Sequence, residues 1–385
     1  MIKIVKKSRS KKLIAFMLVF AMAAMMFLTS CGSGVKAGDP IMKSNYGGGT
    51  HEMSSNIFSY FLSYVKTGQL YQYNQYFQAY GMEQSITDSP ELWTQEYTME
   101  NDPSIQTVGD ALRLQAVLQL QQIFAAEIYC KDKDISLTKE QLNDIDVAVK
   151  ELIRTDFNNS KMNFNMTLAR FGLNEQIFKE IKRLEKLYSV FGEYVVSATG
   201  GIKPVSDAAI WNKFTNEYVR VKHILISTTT GEYDEEGNIV EYSEEELAER
   251  LAKADDIYNK IVGGEDFDAY SAESEDSGQE TYPNGYVFTR NGGFILEFED
   301  AAFDMKVDEV RVVESEFGIH IMKKYELTTD DILEHESQII SELEMLVIME
   351  ELKPYTDSIE IIYEEVNEFS IVTADTMMDC LSLLY

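Results

Sequence analysis

Cysteine, histidine and positive charge are scarce in this chain of 385 residues, and long apolar runs are almost absent. Three cysteines cannot build a disulfide framework. Two of them, Cys130 and Cys380, have 249 residues between them, and nothing in the sequence brings them together. Of the four histidines, His51 and His335 stand in segments of their own, and no cysteine lies near His223 or His320. That spacing disfavours a zinc site, so neither a metal nor an organic cofactor is expected. Lys and Arg total 34 against 65 Asp and Glu, for a net charge of −31. A surface this acidic repels nucleic acid and anionic lipid headgroups, and it attracts basic or unfolded chains. With 45% hydrophobic residues, the chain is too apolar for wholesale disorder.

The one long apolar run, LIAFMLVFAMAAMMFL, has sixteen residues. That is short for a membrane span, which needs about 20. It follows MIKIVKKSRSKK, which carries six positive charges and no acid. Residues 1–30 therefore read as an export signal. Its end, Leu28-Thr29-Ser30-Cys31, resembles the lipobox of bacterial lipoproteins. The resemblance implies cleavage before Cys31 and a diacylglycerol on its thiol, which tethers a protein to a membrane without spanning it. Cleavage leaves 28 basic residues against 65 acidic ones, a net charge of −37. The remaining length has room for two or three domains. Residues 31–50 are rich in Gly and Ser and read as a flexible tether.

From residue 51 to 216 the pattern is helical. DALRLQAVLQLQQIFAAEIYC and NEQIFKEIKRLEKLYSVFGEYVV carry apolar residues at helical spacing. Thr138 with Gln141 makes a capping box. At Tyr218 the period changes. YVRVKHILIS alternates strictly, with Val219, Val221, His223 and Leu225 on one face and Arg220, Lys222, Ile224 and Ile226 on the other. After it, Ser243 and Glu246 cap a helix with Leu247, Leu251, Ala254, Tyr258 and Ile261 on one face. FDAYSAESE reads as a second short helix, NGYVFTR as a strand, EFEDAAFDM as a helix, and EVRVVES with FGIHIMKKYEL as two strands joined by a tight turn. The order β-α-α-β-α-β-β over residues 217–327 predicts a compact α+β domain. The amphipathic segment from Asp330 to Leu352 matches the earlier helices, so residues 328–385 are expected to pack back on the 51–216 domain. The α+β domain is then an insert in a helical one. The apolar tail MMDCLSLLY has no role legible in the sequence.

Residues 218–327 resemble the parvulin family of peptidyl-prolyl isomerases. VRVKHILI is similar to the family's first strand with its histidine, and ESEFGIHIMKK to the last strand with the second. GGEDFDAYSAESEDSG is similar to the segment with the acidic-or-cysteine position, and PNGYVFTRNGGFILEFEDAAFDMKVDEV to the prolyl pocket. With the lipobox and the flanking helices, the chain is similar to PrsA-type extracytoplasmic foldases of Gram-positive bacteria. The resemblance implies a four-stranded antiparallel sheet. It places the catalytic positions on His223, His320 and Asp276, and the proline-binding wall on Phe298, Phe294 and Tyr286. TRNGGFILEF is one residue longer than the family pattern, and Tyr286 is the nearest counterpart of a family leucine. The loop TTTGEYDEEGNIVEY has five acids and no Lys or Arg, unlike the basic cluster of phosphate-reading members.

These residue types suit the reaction. Rotation about X-Pro crosses a barrier of about 18–20 kcal/mol between states that differ by only about 0.5–1 kcal/mol. No bond breaks, so no nucleophile is required. The expected function is a membrane-anchored prolyl isomerase and foldase outside the cell, acting on unfolded exported proteins. A holdase with a silent parvulin fold is the alternative. A homodimer stays open, and a solute-binding lipoprotein lacks the repeated βαβ lobes it would need.

Overall fold

The computed structural model describes residues 38–79, 86–99, 102–233 and 239–384. The export signal and Cys31 lie outside these residues. Among the described residues, no helix is long and apolar enough to cross a membrane. The described residues divide into two compact units, one up to residue 202 together with those from 347 onward, and one of those between 203 and 346.

The first unit is mainly helical. Strand β1 (Pro40–Ser44) pairs antiparallel with β2 (His51–Ser54). Helices α1 (Ser55–Ala79), α2 (Val108–Asp132), α3 (Lys139–Thr155), α4 (Lys161–Ala169) and α5 (Glu175–Val196) follow. Reciprocal capping boxes start α2 at Thr107 with Asp110 and α3 at Thr138 with Gln141, each satisfying two backbone donors a helix start leaves free. The tyrosine-rich stretch after residue 67 continues α1 to Ala79.

The tether expected over residues 31–50 lies outside the described residues up to 37 and is corrected beyond that. Residues 40–44 are a strand because Ile41 and Met42 are fully buried and the backbone pairs on both sides, with β2 and with β9 (Glu360–Ile361). The tail also gains a place. Ile371, Met377 and Leu383 fill the core of this unit. The buried ammonium of Lys66 donates to the Ala374 carbonyl at 2.6 Å and pairs with Asp88 at 2.8 Å. Arg170 holds both Asp375 and Asp379 at 2.7 Å. Cys130 is buried and Cys380 half-buried, and both are free thiols.

The second unit opens with α6 (Asp207–Glu217), capped by Ser206. Strand β3 (Tyr218–Ser227) comes next, then a small antiparallel pair, β4 (Thr229–Tyr233) and β5 (Ile239–Glu241). Helix α7 (Glu244–Val262) starts on the Ser243–Glu246 capping box. FDAYSAE is a 3-10 segment, not an α-helix, and its N-cap Asp266 holds the Asp268 amide. Strand β6 (Tyr286–Thr289), helix α8 (Leu296–Asp304), and strands β7 (Val310–Ser315) and β8 (Gly318–Tyr325) complete the α+β part. The sheet order is β6-β3-β8-β7, antiparallel throughout.

Strand alternation splits the apolar residues between two cores. Ile224, Ile226, Ile319 and Ile321 pack against Ala254, Ile257 and Ile261 of α7. Leu251 of that helix, expected inside, is 41% exposed. On the other face Val219, Val221 and Met322 pack against Phe298, Ala301 and Ala302 of α8. The unit is wider than residues 217–327. Ile210, Phe214 and Tyr218 bury against Ile339 of α9 (Thr329–Thr356), so α6 and α9 through Leu346 belong with the sheet. Only residues from Val347 onward join the first unit, where the whole segment from 328 was expected. The amphipathic pattern of α6 and early α9 reads like the other helices, but their apolar faces meet each other.

Candidate active site

Register places two histidines side by side. His223 on β3 is opposite Met322, and His320 on β8 is opposite Leu225, so the imidazoles are diagonal neighbours on one face. Both are buried, their rings stack at 5.1 Å, and their Nδ1 atoms lie 3.0 Å apart. His223 Nε2 is 3.0 Å from Asp276 Oδ2. Ser315 Oγ, at the end of β7, is 2.7 Å from His320 Nε2. Tyr286 donates its hydroxyl to the same Asp276 oxygen at 2.5 Å, and the Gly278 amide donates to the other at 3.1 Å.

The partners dictate the protons of this chain. A carboxylate only accepts, so His223 donates from Nε2. The two Nδ1 atoms face each other, so one imidazole donates to the other there, and Ser315 Oγ meets His320 at Nε2. The Phe317 amide donates to Ser315 Oγ at 3.1 Å, and the Gly318 carbonyl at 3.4 Å is a second acceptor for that hydroxyl beside His320 Nε2. One unbroken hydrogen-bonded chain runs from Ser315 through His320 and His223 to Asp276. Burial, then the nearby His223, push His320 down to about 4, so it is neutral at physiological pH. Burial alone raises the Asp276 carboxyl. Hydrogen bonds from His223, Tyr286 and Gly278 outweigh it and hold the group at about 2. Burial and then the Asp276 bond raise the Tyr286 hydroxyl well above its usual range, which keeps it a donor.

Above this floor stands an aromatic wall. Phe298 meets the His223 ring at 5.0 Å and the His320 ring at 5.5 Å, both edge-on. Phe294 stacks on Phe298 at 5.3 Å and meets Tyr286 edge-on at 5.3 Å. The groove between floor and wall has a volume of about 360 Å³. All six sequence-predicted positions, His223, His320, Asp276, Phe298, Phe294 and Tyr286, line it. The extra residue of TRNGGFILEF is absorbed in a turn where Asn291 (φ 60°) and Gly293 (φ 88°) take left-handed backbone, so Phe294 still faces the groove.

Sequence reasoning missed Ser315, Ile295 and Phe317. Ile295 and Phe317 line the groove, and Phe317 is 51% exposed. A large aromatic in a hairpin turn was the available signal for Phe317. The available signal for Ser315 was a hydroxyl at the end of a strand that pairs with the histidine strand.

Glycine is required at one contact. A Cβ on Gly278 would stand 2.1 Å from the Tyr286 hydroxyl. Gly278→Ala is expected to push Tyr286 off Asp276. The Asp276 carboxyl should then titrate higher than about 2 by carbon NMR, and stability should fall by about 1–2 kcal/mol.

Residues 209–327 match the PPIC-type PPIase domain family, a span that takes in α6 as well as the sheet. The chain is 25% identical over 258 residues to the foldase protein PrsA of Caldanaerobacter subterraneus subsp. tengcongensis, covering 64% of this chain and 66% of the relative. It is 27% identical over 209 residues to PrsA of a Geobacillus species, covering 51% and 71%. The chain thus spans about two thirds of the length of these curated relatives. Among solved structures, PrsA of Bacillus cereus is 20% identical over 74% of this chain and 96% of its own, with a TM-score of 0.30. PrsA of Bacillus subtilis is 19% identical over 70% and 93%, with a TM-score of 0.24.

Proposed function

From the premise that this chain carries a PPIC-type peptidyl-prolyl isomerase domain and is related to the PrsA foldases, we propose that it isomerises X-Pro bonds in exported proteins as they fold, held at the outer face of the cell membrane by a lipid on Cys31. The observation that carries this reading is the meeting of the histidine pair, Asp276 and the phenylalanine wall in one groove. His223, His320 and Asp276 act on the amide, and Phe298, Phe294 and Tyr286 receive the proline ring.

The chemistry follows from the amide itself. A planar amide is stabilised by resonance that separates charge, and the twisted form loses that resonance. An apolar wall favours the less polar twisted state. Phe298, Phe294 and Ile295 supply that surface around the proline ring. The polar floor works in the opposite sense at one place, where donors can meet the charge that shifts during rotation. A neutral His320 and an ionised Asp276 hold the hydrogen-bonded floor in place, so it need not reorganise as the bond turns.

NMR exchange spectroscopy on proline peptides tests the reading. The full chain should accelerate exchange well above the solvent rate, and the double variant Phe298→Ala/His320→Ala should lose that acceleration. Exchange no faster than in buffer would leave a holdase role for the helical unit. Release from membranes after Cys31→Ala, read by fractionation, tests the anchor separately.

A further inference from the structure

A second cavity adjoins the prolyl groove. It has a volume of about 420 Å³ and lies within the same unit. Tyr286 and Phe294 line both, so one wall continues from groove to cavity. Tyr282 extends that wall. It is half exposed, and its ring lies 5.2 Å from that of Tyr286. The first turns of α9 add Asp330, Asp331, Glu334 and His335 to the lining. Arg220 pairs with Asp331 at 3.3 Å, and the Thr328 amide and hydroxyl both donate to it. Asp331 is therefore occupied. Asp330 and Glu334 are exposed and make no ion pair with any described residue.

The cavity combines aromatic side chains with carboxylates in one lining, continuous with a site for proline. A long cationic side chain fits both halves. Its stem lies along Tyr282 and Tyr286, and its head reaches the carboxylates. A glutamate or phosphorylated residue meets repulsion there instead. Resting on the isomerase reading, we infer that this cavity is an extended subsite that selects client segments with Lys or Arg within a few residues of the proline. The net charge of −31 strengthens the same preference at longer range.

The test uses the full chain and peptides with Lys, Ala or Glu two or three residues to either side of the proline. Catalysed exchange gives kcat/KM for each. The Lys peptide should exceed its Glu counterpart by about five- to ten-fold at low salt on at least one side. The double variant Asp330→Asn/Glu334→Gln should bring that ratio below about two while leaving the Ala peptide unchanged. In the unaltered protein, raising salt to about 0.5 M should collapse the ratio as well, a measure that does not depend on the variant folding. Equal rates for Lys and Glu peptides, or a preference that the variant retains, overturn the subsite. If no peptide is isomerised at all, the isomerase reading fails. The subsite is then judged by binding alone, from the amide shift of Tyr282 on titration with each peptide, and equal affinities overturn it.

Discussion

Phe298→Ala is expected to lower the stability of the isomerase unit by about 3–5 kcal/mol, the range for truncating a buried phenylalanine, and to lower isomerase kcat/KM by about a hundred-fold. Phe298 is 2% exposed and supports three parts of the site at once. Its ring packs on Phe288 and Phe294 and closes over both imidazoles. Alanine leaves a void above the histidine pair. Water entering it finds polar partners, so the floor becomes wet as well as uncovered. Stability and catalysis need to be separated, and Phe298→Leu does so. Leucine restores most of the volume and should recover most of the stability. It does not restore a flat aromatic face, so turnover should stay well below that of the unaltered protein. Urea unfolding of the full chain, followed by a probe in the sheet unit, measures the first effect. Exchange kinetics on a folded sample measure the second. Full activity in folded Phe298→Ala would show that the wall only fills the core.

How much of this was legible in the sequence differs between the two units, for a physical reason. The sheet face was readable because a strand reports its own orientation every second residue. His223 falls in phase with Val219 and Val221, and His320 in phase with Met322, and those apolar residues share one core. Pairing the two histidines needed the resemblance, since alternation says nothing about register between strands. Tyr286 was the weakest assignment from pattern, yet its hydroxyl reaches Asp276 directly. No periodicity encodes that contact. In the helical unit, β1 was hidden in a Gly-rich stretch, because its pairing with β9 joins residues at opposite ends of the chain. The domain edges were misplaced because an amphipathic helix shows that it has an apolar face but not what that face meets. Helix α6 and the first half of α9 bury theirs against each other beside β3.

Acid should unfold the isomerase unit in two steps, and His320 supplies the first. Its pKa is depressed from an ordinary 6.5 to about 4 in the folded protein. The unfolded chain therefore takes up a proton that the folded one refuses, and stability present above pH 6.5 drains away as pH falls towards 4. A gap of that size corresponds to about 3 kcal/mol. Asp276, held at about 2 against an ordinary 3.8, adds a loss of about 2 kcal/mol as pH falls further through that interval. Many exposed carboxylates of this acidic chain titrate nearby, so a single pH curve does not isolate either group. His320→Asn does. It removes the titration while leaving an amide to donate towards His223. The difference in unfolding free energy between the two proteins should change by about 1.4 kcal/mol per pH unit between 6 and 4.5, with the unaltered protein the steeper. Parallel curves would mean that His320 is solvated enough to hold its proton in the folded state. In that case His320 would donate to Ser315 from Nε2, and the floor would carry an added positive charge.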